Sequence, residues 1–134
     1  MRGGQRVTGE TKAGRAKVAA VPAERLDQYE RLVATQPGVQ RKGATIPYTS
    51  VNGNMFSYLD ASGALALRLS GPDRERFIAE HRTGLHEAYG HVQKEYVTVP
   101  DSLLATTDEL APWFAASHAY AKSLKPKPTT RRKA

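Results

Sequence analysis

The stretch Gly43 to Ser70, GATIPYTSVNGNMFSYLDASGALALRLS, decides the fold. Asn52-Gly53 lies between two runs of β-type residues. A two-residue type I′ turn needs positive φ at both of its positions, and Asn and Gly tolerate it. The two-residue loop predicts a register in which Val51 faces Asn54, Thr49 faces Phe56 and Pro47 faces Tyr58. Asp60-Ala61-Ser62-Gly63 makes a second turn and returns the chain through Ala64 to Leu69. The prediction is a three-stranded antiparallel meander. Pro47 cannot donate to a ladder, which places its strand at an edge or at a bulge.

Strict alternation then sorts the side chains. Leu65, Leu67 and Leu69 join Phe56, Tyr58, Thr49 and Val51 on the expected core face. The opposite face receives Ile46, Tyr48, Met55, Leu59, Ala64, Ala66 and Arg68. That set is too apolar for a bare solvent face, so it predicts either a covering helix or an interface, with Tyr48, Met55 and Leu59 as the candidate interface residues.

Working outward, Leu26, Tyr29, Leu32 and Val33 recur at helical spacing after Pro22, and Pro37-Gly38 stops that helix near Gln36. Ser70-Gly71-Pro72-Asp73 opens a second helix, with Ser70 as N-cap, Asp73 reaching back to it and Phe77 and Ile78 as its buried contact. Leu85 to His91 is ambiguous and admits a short strand, whereas Lys94 to Val99 alternates and ends at Pro100, as a strand does. Asp101 caps a short turn through Leu103 and Leu104. A last helix over Asp108 to Leu124 carries Leu110, Trp113, Phe114, Ser117, Ala121 and Leu124 on one stripe, with Pro112 tolerated in or just after its first turn. The order is helix, three strands, helix, one or two strands, helix. It defines an α+β domain with an antiparallel sheet of four to five strands and helices packed on it.

Composition bounds the rest. A chain of 134 residues is one domain by length, and 40% apolar with 25% charged residues is ordinary for a soluble globular protein. Cysteine is absent, which excludes a disulfide framework, a zinc-thiolate site and a thiol nucleophile. No apolar run approaches a membrane span and the basic leader lacks an apolar h-region, so the expected location is the cytoplasm. The net charge of +7 is unevenly placed: residues 1–20 carry +4, residues 122–134 carry +6, and the stretch between is −3. The expected domain is therefore 21–124, flanked by a disordered basic tail over 1–20 and a basic tail over 125–134.

Four segments, NGNMF at Asn52 to Phe56, LRL at Leu67 to Leu69, VTVP at Val97 to Pro100 and the helix from Leu110 to Leu124, occur in an order that resembles the TfoX N-terminal domain family (TfoX/Sxy-like). The resemblance covers Lys42 to Lys125. The strand start differs, reading Gly43-Ala44-Thr45-Ile46 where members carry Met-Phe-Gly-Gly, and the helical C-terminal domain of full-length competence regulators has no counterpart. The resemblance implies the α+β fold and a bacterial regulatory or protein-interaction domain, and it supplies no catalytic residue.

A search for chemistry among the residues finds no catalytic set and no metal or cofactor motif. His86 and His91 are five apart, where a helical zinc pair needs four, and Gly90 interrupts. His118 is expected at the core edge. Glu87 and Glu95 are expected as exposed charges. The sequence therefore predicts a non-enzymatic interaction domain whose partner is itself, as a homodimer, or another protein. The alternative is weak, non-specific nucleic-acid binding through Lys125, Lys127, Arg131, Arg132 and Lys133, without membrane association.

Overall fold

A computed structural model describes residues 21–43, 45–88 and 90–127. The expected leader, together with Arg131, Arg132 and Lys133, lies outside the described residues. The chain forms helix α1 (Ala23–Ala34), strands β1 (Tyr48–Val51), β2 (Asn54–Leu59) and β3 (Leu65–Arg68), and helix α2 (Gly71–His81). Strands β4 (Leu85–Ala88) and β5 (His91–Val99), a short helix α3 (Asp101–Leu104) and helix α4 (Thr107–Ser123) complete it. The fold is α+β: one five-stranded sheet in the order β1-β2-β3-β5-β4, with every neighbour antiparallel. No described helix is long and apolar enough to cross a membrane.

The helices gather on one face. α4 lies against β1, β2, β3 and α1, and α2 lies against β5. Tyr29, Leu32, Phe56, Leu59, Phe77, Leu110 and Phe114 are fully buried between helices and sheet. Trp113, half-buried, meets Phe77 edge-on at 5.0 Å.

The Asn52-Gly53 turn forms as expected, with φ of 54° and 80°. Val51 faces Asn54 and Ser50 faces Met55, but Thr49 then faces Ser57 and Tyr48 faces Tyr58. Phe56 is the extra residue of a β-bulge, and a bulge turns two successive side chains to one face. Phe56 and Ser57 therefore both point at the helices. The bulge corrects the expected alternation beyond that point: Leu59 belongs to the core beneath the helices, and Tyr58 belongs to the outer face.

The bulge is held by polar groups from distant segments. The Ser57 hydroxyl lies 2.6 Å from the Tyr29 hydroxyl of α1 and 2.5 Å from that of Thr49, in a fully buried chain. Burial pushes the Tyr29 hydroxyl well above its ordinary pKa, so this chain stays neutral. The Ser117 hydroxyl of α4 lies 2.5 Å from the Arg68 carbonyl and 3.1 Å from that of Phe56, and its one proton ties the helix to the sheet beside the bulge.

Two helix starts differ from expectation. Ser70 sits at the N-cap of α2 but makes no side-chain cap bond, and Asp73 pairs instead with Arg76 at 2.7 Å. α4 starts at Thr107, one residue before Asp108, with Thr106 at its N-cap position.

Candidate functional site

The outer face of the sheet is where the structure departs most from a simple meander. Across it runs a row of paired residues that share one side: Lys42, Tyr48, Tyr58, Ala66 and Thr98. Ala66 offers only a methyl group between the Tyr58 ring and the Thr98 hydroxyl, and it is fully buried all the same.

What buries it is the β4–β5 hairpin. Leu85 pairs with Val97, but the next residue, His86, pairs with Gln93, leaving Lys94, Glu95 and Tyr96 without a β4 partner. A register jump of that size bends β5 sharply. Its C-terminal half stays in the sheet beside β3, while its N-terminal half and β4 curl across the outer face. As a result, Gln93 reaches Tyr58 of β2 and His86 reaches Asp60 just past it, even though β3 and β5 separate β2 from β4 in strand order.

His86 is the centre of the contact. Its Nε2 lies 3.1 Å from Asp60 Oδ2, its Nδ1 lies 2.8 Å from Thr98 Oγ1, and its ring meets Tyr58 edge-on at 5.7 Å. Burial raises the pKa of the Asp60 carboxyl, but hydrogen bonds from the Ser62 hydroxyl and the Ala64 and Ser62 amides, with His86 nearby, outweigh it and hold the group below its ordinary value. An ionised Asp60 accepts only, so Nε2 carries a proton, and Nδ1 faces a hydroxyl able to donate or accept. Thr83 fastens the same corner by donating from Oγ1 to the Thr98 carbonyl at 2.7 Å.

The order carboxylate, imidazole, hydroxyl is that of a general-base relay. Neither His86 nor Thr98 lines the groove on this face, however. What the arrangement does physically is latch the curled hairpin to the sheet.

A second polar cluster bounds the face on its other side. Arg68 donates from Nε to Glu95 at 2.7 Å and from Nη1 to the Met55 carbonyl at 3.2 Å, and Tyr120 donates to the second Glu95 oxygen at 2.9 Å. Burial opposes ionisation of Glu95, but the Arg68 and Tyr120 hydrogen bonds hold its pKa low. Tyr96, pushed up to about 12 mainly by burial, donates to the Met55 carbonyl at 2.8 Å.

Between these clusters and the β1 edge lies an open groove of about 350 Å³, lined by Ile46, Tyr48, Met55, Tyr58 and Gln93. Its volume is at the small end of ligand clefts, and its walls are mostly apolar with a single amide. Tyr58 donates to Gln93 Oε1 at 2.7 Å, which aims the Gln93 amide nitrogen away from the ring.

Of the three expected interface residues, the structure brings Tyr48 and Met55 together in this groove, whereas Leu59 is fully buried in the core. Tyr58 and Gln93 were not among the expected residues. Gln93 lies in a stretch that carries no motif, and the bulge moved Tyr58. Of the expected tail residues, Lys125 and Lys127 are described, and both strap the β1–β2 turn. Asn54 donates to the Lys125 carbonyl at 3.1 Å, and the Lys127 amide donates to the Asn52 carbonyl at 2.8 Å. Glu95, expected as an exposed charge, is tied by the Arg68 and Tyr120 contacts above. His118 stands at the core edge, its ring 5.4 Å from Phe56, and burial and Lys122 lower its pKa. Among the described residues, no group of three or more His, Asp or Glu side chains converges as a metal ion requires.

No family model matches this chain, and no curated protein matches it.

Proposed function

We propose that this chain is a non-enzymatic regulatory or protein-interaction domain of the TfoX N-terminal kind. It meets its partner, a second copy of itself or another protein, through the outer-face groove. One observation carries the reading. The curled hairpin seals most of the outer face with hydrogen-bonded polar groups, yet it leaves a cleft walled by Ile46, Tyr48, Met55 and Tyr58 open beside an edge strand. A fold that closes one part of a face and leaves a concave cleft between half-buried Ile46, Tyr48 and Met55 in the next offers a binding surface.

The test is sedimentation of the wild-type chain and of Met55→Asp over a range of concentrations, with thermal unfolding alongside. The expected result is a concentration-dependent mass above that of the 14.7 kDa chain, lost in the variant with the unfolding midpoint retained. An identical mass for both proteins at every concentration would remove self-association through this face.

A further inference from the structure

The groove has a charged neighbour that says what kind of partner it suits. Lys42 forms the single described bridge on the outer side of β1, opposite Tyr48, so its side chain shares the face of Tyr48 and of the groove. Lys42 Nζ reaches the Ser50 hydroxyl at 3.3 Å and, among the described residues, has no carboxylate partner. The nearby carboxylate, Glu30, is taken by Arg41, which holds it at 2.9 Å. An exposed ammonium therefore stands at the rim of an apolar cleft, next to an edge strand whose outer side is otherwise unpaired among the described residues.

We infer that the groove captures the free C-terminus of a partner protein whose last residue is a large apolar side chain. This inference rests on the interaction reading above. The side chain enters between Tyr48, Met55 and Tyr58, where one aromatic or long aliphatic group fills the cleft. The terminal carboxylate meets Lys42 and the Ser50 hydroxyl at the rim. The preceding residues leave past Ser50, whose backbone is the part of the β1 edge that Lys42 does not take. Charge complementarity selects the terminus over an internal segment of the same sequence, because an internal peptide bond brings no anion to Lys42.

A fluorescein-labelled hexapeptide ending in Thr-Val-Phe with a free carboxylate, and the same peptide amidated, are titrated into the full chain by fluorescence anisotropy. The free acid is expected to bind about tenfold more tightly than the amide, a difference of about 1.4 kcal/mol by the standard conversion. Lys42→Gln is expected to erase that difference by lowering the affinity for the free acid. Tyr48→Ala is expected to weaken both peptides. Equal affinity for acid and amide in the wild-type chain overturns the inference, as does no binding of either at millimolar concentration. Binding of N-acetylphenylalanine as tight as that of the hexapeptide overturns it too, in favour of a small aromatic acid. If Met55→Asp abolishes self-association while the two peptides bind equally, this inference fails and the interaction reading stands; if sedimentation and peptide titration are both silent, both fail.

Discussion

The two faces of the sheet are closed in opposite ways. The helix-covered face is filled by aliphatic and aromatic side chains from four helices and the strands, with one buried hydroxyl chain at Tyr29, Ser57 and Thr49. The outer face is closed by a bent hairpin through Asp60, His86, Thr98, Tyr58 and Gln93. On the first face stability scales with apolar area removed from water and is insensitive to direction. On the second it depends on particular donors meeting particular acceptors, each of which is costly to strand. A polar closure can be opened by changing one group, whereas an apolar one has to be hollowed out. The open groove lies on the outer face, the one closed by polar contacts.

The sharpest way to break the comparison is in the core. Phe56→Ala empties the space against Phe114, whose ring lies 5.5 Å away, and also removes the side chain that the bulge turns inward. The expected loss is about 3–5 kcal/mol in urea unfolding; a loss below about 1 kcal/mol would mean that the bulge is not packed as described. On the outer face, His86→Ala strands Asp60 Oδ2 and the Thr98 hydroxyl, and the expected loss is smaller, about 1–3 kcal/mol. Amide exchange should then quicken in β4 and in the N-terminal half of β5 while the helix-covered strands keep their protection. Uniform loss of protection would show that the hairpin is not a separable latch.

The turn that joins β1 to β2 gives an intermediate case. Gly53 has φ of 80°, and a Cβ there would collide with the Lys127 carbonyl. Gly53→Ala should cost about 1–2 kcal/mol from the left-handed backbone alone, and it should also expose the Lys127 amide to exchange.

The pH dependence follows from Asp60. Its folded pKa lies below the ordinary 3.8, so its contribution to stability is present above that value and is lost as the pH falls through the lower, folded one. Asp60→Asn keeps an acceptor for His86 and should flatten this acid limb of the unfolding curve. An unchanged acid limb would show that Asp60 is not the group responsible. The smallest stability effect, under about 0.5 kcal/mol, is expected for Met55→Asp, because half-exposed outer-face positions contribute little to the core.

The element order and the meander could be read from the sequence because their signals are local. Asn52-Gly53 dictates its own turn, and alternation from Leu65 to Leu69 places those leucines against the helices without outside help. The bulge has no such local mark. Whether Ser57 turns inward depends on hydroxyls from Tyr29, 28 residues away, and on Ser117, whose contact with the Phe56 carbonyl spans 61 residues. One inserted residue was enough to exchange Tyr58 and Leu59 between faces. His86 was equally opaque, since its partners stand 26 and 12 residues away and only the bend in β5 brings them together. The groove was half legible. Tyr48 and Met55 follow from alternation before the bulge, whereas Tyr58 and Gln93 follow from the bulge and the bend.

The strap at Lys125 and Lys127 has a mechanical consequence. The chain leaves α4 at Ser123, crosses to the β1–β2 turn and is bonded there at Asn52 and Asn54. Tension applied beyond Lys127 is therefore delivered to the tip of an edge hairpin before it reaches the last turn of α4. A hairpin loaded at its tip parts one hydrogen bond at a time, whereas a packed helix must shear its whole interface at once. The first thing such tension could dislodge is the turn that sets the register of the sheet.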